Sequence, residues 1–336
     1  MPEFILHHYA SSPFAEKIRL ILGFKRLAWR SVAISPVLPR PDLMALTGGY
    51  RRTPVLQAGA DVWCDTALIA RVLDRAAPEP ALLPDAHAAG ATILAAWADS
   101  TLFGAAVAHA LQPAGFASLF ADLSPAQQAA FVEDRKAFRQ GATVPRMGAE
   151  AAATILQAHL ARLERQLSDG RAFVLGERAC LADFSLYHPL WFVRRARAVA
   201  GIVEREAAVV RWMERMAAFG HGRPDPMDSA EAIGVARRGG QGSEPQQSAA
   251  PIPEGFGPEG GASLPGAPAL GTRARVAPTD YGIDPVEGVL VDVQPDEWVL
   301  RREDARAGTL RVHFPRIGYR IEAAAAAAAA NAAARA

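Results

Sequence analysis

Apolar and polar positions along the first 76 residues change period several times. Residues 3–9 (EFILHHY) form a short apolar run that predicts a buried strand. From 13 to 24 the spacing turns helical, with Phe14, Ile18, Ile21 and Leu22 on one face and Lys17 and Arg19 off it. Residues 27–34 (LAWRSVAI) predict a second strand, followed by a proline-rich connection over 35–41. Residues 53–57 and 61–64 read as a hairpin joined by Ala58, Gly59 and Ala60. Asp65 then opens a helix carrying Leu68, Ile69, Val72 and Leu73. The order is βαβ, an irregular or helical stretch, then ββα, a small mixed α/β unit over 1–78.

Over 84–220 the pattern is helical throughout. Residues 85–110 hold Trp97 and Phe103, and Leu156, Leu160, Leu163 and Leu167 form a stripe on a later helix. Ser124, Pro125 and Gln127 make a helix start, with serine at the N-cap, proline at N1 and glutamine at N3. Two more helices are expected over 183–199 and 204–219, giving an all-helical bundle behind the α/β unit. Residues 221–272 shift to Gly, Pro, Ser and Gln, which bury too little apolar area to offset ordering, and are expected to be a flexible linker. Strand-like alternation returns at 286–293, 297–303, 309–314 and 318–321, predicting a small antiparallel β module over 273–322. The alanine-rich tail, 323–336, is given no function.

Composition narrows the class. A chain of 336 residues suggests two or three domains, and half its residues are apolar. The 36 basic and 35 acidic side chains leave a formal charge of +1, which argues against nucleic acid or a membrane surface as partner. Cys64 and Cys180 have neither CxxC nor metal-ligand spacing, so no disulfide framework and no metal are expected. The N-terminus lacks a signal-peptide pattern and, the alanine repeat aside, no run of about eighteen apolar residues occurs. A cytoplasmic protein in a reducing compartment is the expectation.

Three local features carry candidate chemistry. Ser12 falls at the N-cap of the first helix, with Pro13 at N1, where backbone N–H groups and the helix dipole favour an anion. Its plain role there is a cap worth roughly 0.5–2 kcal/mol. Thr53, Pro54 and Val55 begin a strand, and proline there means an edge, a strand start or a cis turn. A cis turn is expected to leave the Val55 backbone free to pair with an extended peptide. Asp65 and Thr66 make an ordinary cap, yet together they also suit a ligand carrying an ammonium and a carboxylate on one carbon.

These features, in this order, carry a family resemblance. SSPFAEKIRLILGFKRL resembles the first helix of cytosolic glutathione transferases, in particular omega-like and bacterial members with a Cys-Pro-Phe or Ser-Pro-Phe turn. TPVLQAGADVWCDTALIARVLD resembles their cis-proline strand, hairpin and acidic helix start, and ACLADFSLY the capping box of the helical domain. The resemblance spans about 3–220 and implies a thioredoxin-like domain followed by an all-helical one, glutathione as co-substrate, a small hydrophobic electrophile and a homodimer. It places Ser12 at the glutathione sulfur, Val55 on the cysteinyl backbone, and Asp65 and Thr66 on the γ-glutamyl end. Arg52 falls near a basic position for the glycyl carboxylate. Ser12 stands where omega-like members hold cysteine, so thiolate activation is expected rather than a mixed disulfide. Adjacent Ser11 competes for that role.

Phe14 and two residues of the first bundle helix, Trp97 and Phe103, are candidates for an electrophile pocket, with an ordinary core role as the plain alternative. Cys180 replaces the usual Ser or Thr of the capping box, so a weaker cap is expected there. His7, His8 and His159 read as satisfied packing residues, and Cys64 as a small buried hydrophobe. Two functions compete: a glutathione-dependent enzyme performing conjugation, isomerisation or peroxide reduction, and a non-catalytic binding or assembly protein on the same fold. A glutaredoxin-like reductase lacks its nucleophilic cysteine.

Overall fold

In the computed structural model the described residues are 2–241 and 267–324. The first domain follows the expected order: β1 (Ile5–His8), α1 (Pro13–Phe24), β2 (Ala28–Ala33), α2 (Pro41–Thr47), β3 (Val55–Ala58), β4 (Asp61–Cys64) and α3 (Thr66–Ala76). β1 runs parallel to β2 and antiparallel to β3, and β3 pairs antiparallel with β4 across the tight turn at Gly59 and Ala60. Gly59 takes φ +59°, the left-handed conformation that two-residue hairpin turns require. Apolar pairs such as Leu6 opposite Leu56 set the register, because slipping by one residue would expose them. Lys17 and Arg19, off the apolar face of α1, are nonetheless buried against ionic partners.

The helical domain holds α4 (Ala88–Trp97), a π-helical turn (Ala98–Leu102), α5 (Phe103–Ala110), α6 (Pro113–Leu119), α7 (Pro125–Phe138), α8 (Ala149–Leu167), α9 (Leu181–Arg195), α10 (Gly201–Glu204) and α11 (Ala207–Ala217). The continuous helix Ala88–Ala110 has the length and mean hydropathy, 1.4, of a membrane span. Its stripe of Ala91, Ala95, Ala98, Leu102, Ala105 and Ala106 is buried, with α5 packed on α8 and α9. The predicted capping box forms at Ser124: Oγ accepts from Gln127 N at 3.3 Å and Ser124 N donates to Gln127 Oε1 at 2.9 Å. At the start of α9, Asp183 accepts from Cys180 N, Val174 N and Trp212 Nε1 at 2.9–3.0 Å. The carboxylate, not the thiol, gathers these donors.

The segment expected as a linker is corrected over its first part. β5 (Arg223–Pro226) adds to β2 in parallel, and α12 (Ser229–Gln241) packs on α2 and β9. Ile233 and Ala236 supply the apolar face of α12, and any Cβ on Gly239 or Gly240 would collide with the β3–β4 turn or with Thr309. The glycines that read as loop composition are thus sites of close backbone approach. Residues 242–266 lie outside the described residues.

The C-terminal strands are β6 (Arg273–Pro278), β7 (Val286–Val293), β8 (Glu297–Asp304), β9 (Gly308–Pro315) and β10 (Tyr319–Ala323). β6 to β9 form an antiparallel meander, and β10 returns to pair with β6. Three residues link β9 to β10, a reach of about 10 Å that cannot cross a flat sheet, so the five strands roll up. β9 also pairs in parallel with β4, Asp61 opposite Arg311 and Trp63 opposite His313, making one ten-stranded sheet in the order β10-β6-β7-β8-β9-β4-β3-β1-β2-β5. The module therefore shares a core with the first domain, in which Leu46, Tyr50 and Val62 meet Leu310, Val312 and Phe314. Ala323 closes β10 opposite Ala274, and residues 325–336 of the alanine-rich tail lie outside the described residues.

Candidate active site

Sheet topology brings the three local features to one end. The C-terminal ends of β1 and β4 and the N-terminal end of β3 coincide, which sets the turn of Ser12, the Thr53–Pro54 step and Asp65 side by side. Ser12 is buried at the N-cap of α1, and its Oγ accepts from Ala15 N at 3.2 Å. That bond occupies a lone pair and leaves the O–H as a donor. Ser11 is half-buried, and its hydroxyl has no hydrogen-bond partner among the described residues.

The Thr53–Pro54 bond is cis. The free backbone expected of Val55 is a correction: Val55 lies inside the ladder, between His7 of β1 and Cys64 of β4. Thr53, on the other side of Pro54, precedes both registers, so its N–H and C=O are the pair left outside the sheet. Its hydroxyl accepts from Arg40 Nη1 at 3.0 Å.

Asp65 has φ +76°, a costly conformation for a residue with a Cβ, of the kind that clusters at functional sites. Its Oδ1 caps α3 through Ala67 N at 2.9 Å. Its Oδ2 accepts from the Tyr319 hydroxyl at 3.0 Å and lies 4.0 Å from Arg52 Nη1. The Arg52 guanidinium pairs with the Asp280 carboxylate and donates to the Tyr281 carbonyl at 2.5 Å. It lies over the rings of Tyr281, at 4.4 Å, and Tyr319, at 5.8 Å. Tyr50 and Tyr319 hydroxyls meet at 2.7 Å. Burial opposes the charge on Arg52, but its surroundings, the Asp280 carboxylate among them, hold the pKa above its ordinary value. Burial pushes the Tyr281 phenol up to about 12, so it stays protonated. No pattern in the sequence pointed to these module residues, since only the tertiary fold brings them to Arg52 and Asp65.

A second cluster also escaped the sequence. Asp99, on the π turn, accepts from Lys17 Nζ at 2.6 Å and from His188 Nε2 at 2.9 Å. Lys17 also reaches the Thr66 hydroxyl at 3.5 Å, tying α1, α3 and the helical domain together. Burial alone would raise the Asp99 pKa, but Lys17 and His188 outweigh it and hold it low. π-helical turns recur at functional sites. The His188 ring lies against Phe14 at 4.6 Å and Phe103 at 5.7 Å, and Phe14 and Phe103 are 4.5 Å apart. Trp97 does not join them: its ring contact is His159 of α8 at 4.6 Å. Six residues separate Trp97 from Phe103, roughly 240° round a helix, so the two face different neighbours.

His7 bonds to Gln57 at 2.8 Å, and His8 to Ser31 at 2.9 Å and Arg19 at 3.1 Å. Both behave as satisfied core groups, their pKa values lowered to about 4 by burial first. Among the described residues no His, Cys, Asp and Glu cluster suits a metal ion.

A GST-like protein from Pseudomonas syringae is 39% identical to this chain, with a TM-score of 0.75 over 96% of this chain and 100% of that one. The chain belongs to the glutathione transferase family. The family models for the glutathione S-transferase N-terminal and C-terminal domains match residues 6–81 and 146–215. A glutathione transferase from Phanerochaete chrysosporium, 21% identical with a TM-score of 0.51, covers 65% of this chain and 97% of its own, and shows the shared fold. No curated protein matches the chain. The fold is thus a thioredoxin-like domain and a helical domain of this family, with a C-terminal β module joined to the first.

Proposed function

We propose that this end of the sheet binds glutathione and that the Ser12 hydroxyl donates a hydrogen bond to its thiolate, which attacks a small apolar electrophile. The observation that supports this most directly is the convergence of Ser12, the Thr53 backbone and Asp65 at one sheet end. A free thiol has a pKa of roughly 8.5, and a hydroxyl donor at a helix N-terminus lowers it toward neutrality. Serine is here a donor to the nucleophile, not the nucleophile. In this reading Thr53 takes the cysteinyl backbone, Asp65 the γ-glutamyl ammonium, Thr66 its carboxylate and Arg52 the glycyl carboxylate. Phe14 and Phe103 form the apolar wall on which the electrophile rests. A cytoplasmic homodimer belongs to the same proposal, but β4 does not offer its edge to a second copy, because β9 occupies it.

Steady-state conjugation of glutathione to a chloronitrobenzene tests the role of Ser12. Ser12→Ala is expected to lower kcat/KM at least tenfold, about 1.4 kcal/mol, and Ser11→Ala by less than about twofold. Unchanged turnover in both variants would overturn the mechanism. A non-catalytic binding protein is the second reading, favoured by the prior engagement of Arg52 and Asp65 by Asp280 and Tyr319. Calorimetric binding of glutathione without turnover of any electrophile would select it.

A further inference from the structure

Residues 279–283, between β6 and β7, lie across the seam between the first domain and α7. Thr143 N donates to the Asp280 carbonyl at 2.8 Å, Gly282 N donates to the Phe138 carbonyl at 3.0 Å, and the Thr143 hydroxyl donates to the Thr279 carbonyl at 2.7 Å. Gly282 has φ +58°, and a Cβ there would run into the Phe138 ring, so the backbone rests directly on that side chain. The Tyr281 ring meets Phe138 edge-on at 5.5 Å and lies beneath the Arg52 guanidinium. From this position the segment supplies Arg52 with a carboxylate, that of Asp280, a carbonyl and an aromatic face. Arg52 Nε is buried without a partner, so its fork is only partly used. On the same side the module's Tyr319 holds Asp65 Oδ2. Both Arg52 and Asp65 are therefore engaged by the chain's own C-terminal module.

We infer that residues 279–283 form a latch, with the Asp280 carboxylate occupying on Arg52 the place that a carboxylate of an incoming ligand takes when the module loop swings out. The inference rests on the glutathione reading only for the identity of that ligand, and its chemistry requires a small molecule bearing a carboxylate. The exchange replaces one carboxylate by another, so the charge around Arg52 is conserved. A tethered competitor lowers apparent affinity by the fraction of molecules that are open. If the latch is open in about one molecule in ten, removing it tightens binding about tenfold.

The test is calorimetry on the full chain with glutathione and, separately, with glutarate, together with hydrogen exchange at the Gly282 and Thr143 amides. Asp280→Ala and the milder Asp280→Asn are expected to bind glutathione about tenfold more tightly than the unaltered chain and to exchange faster at both amides; Arg52→Ala with Asp280→Ala should lose that gain. Equal glutathione affinity in the unaltered chain and both Asp280 variants, or weaker binding in the variants, overturns the latch and leaves the glutathione reading standing. Glutarate binding by Asp280→Ala but not by the double variant, with no glutathione binding in any chain, keeps the latch and removes glutathione as its ligand. Neither probe binding to either Asp280 variant overturns the latch.

Discussion

Two sets of buried histidines in one sheet carry opposite charge preferences. On β1, His7 meets neutral Gln57 and His8 meets Ser31 and the cation of Arg19, so burial keeps both rings neutral. On β9, His313 lies between carboxylates, 2.8 Å from Asp61 Oδ1 and 3.6 Å from Glu297 Oε2, with Arg311 also on Asp61. Burial would lower His313, but Asp61 and Glu297 outweigh it and hold its pKa above the ordinary value. Among the described residues the β1 imidazoles have no carboxylate partner, whereas the seam where the module joins the first domain supplies His313 with two. Further ion pairs, Arg306 with Asp42 and Arg52 with Asp280, and the Tyr319 hydrogen bond to Asp65 extend that seam. Beneath them the two parts share an apolar core. One continuous sheet thus holds buried histidines of opposite charge preference, set by whether a carboxylate faces the ring.

The largest effect is expected away from the seam. Asp183→Ala leaves the buried donors of Val174, Cys180 and Trp212 unpaired, and should cost about 3–5 kcal/mol in urea unfolding of the whole chain. A loss confined to the module would break the comparison. Next in size is the acid limb. His7, lowered from 6.5 to about 4, remains neutral in the folded chain while the unfolded chain takes up a proton. Stability should therefore fall as pH drops from about 6.5 to about 4, by on the order of 3 kcal/mol. His7→Gln should flatten that limb when urea midpoints are measured across the range.

His313 should respond with the opposite sign. Its raised pKa means the stabilisation is complete below the unfolded imidazole value, about 6.5, and is lost as pH rises through the folded value. His313→Gln should remove about 1–3 kcal/mol at pH about 6 and much less at pH about 9, read as proteolytic susceptibility of the β8–β9 turn. Equal loss at both values would show that the ring acts by packing on Trp63 and not by charge. The smallest change is Ser124→Ala. Helix α7 has no buried residue, so loss of its cap should cost about 0.5–1 kcal/mol and register only in local exchange.

Much of the fold was legible because its signals are local. The switch from a strand run at 5–8 to helical spacing after Pro13, the glycine turn at Gly59 and the Ser124 box each depend on a few neighbouring residues. The Ser12 and Asp65 caps were legible from local chemistry, and the cis bond at Pro54 was one of the three readings its position allowed. That Val55 lies inside the ladder and Thr53 outside it needed the strand register, which decides on which side of the proline the ladder begins. Composition hid α12, because its apolar face is short and its glycines serve a contact that exists only against Thr309 and the hairpin.

By itself the sequence determined the element order of the first domain, the family's two domains and the helix start at Ser12, since these follow from periodicity, capping and backbone restrictions within a few residues. Tertiary structure alone decided that β9 joins β4, that Lys17 and His188 converge on Asp99, and that Asp280 and Tyr319 take hold of Arg52 and Asp65. The physical reason is that strand edges and charged side chains are chemically interchangeable along a chain. Which edge pairs, and which carboxylate meets a given arginine, depends on distances that only the folded core establishes.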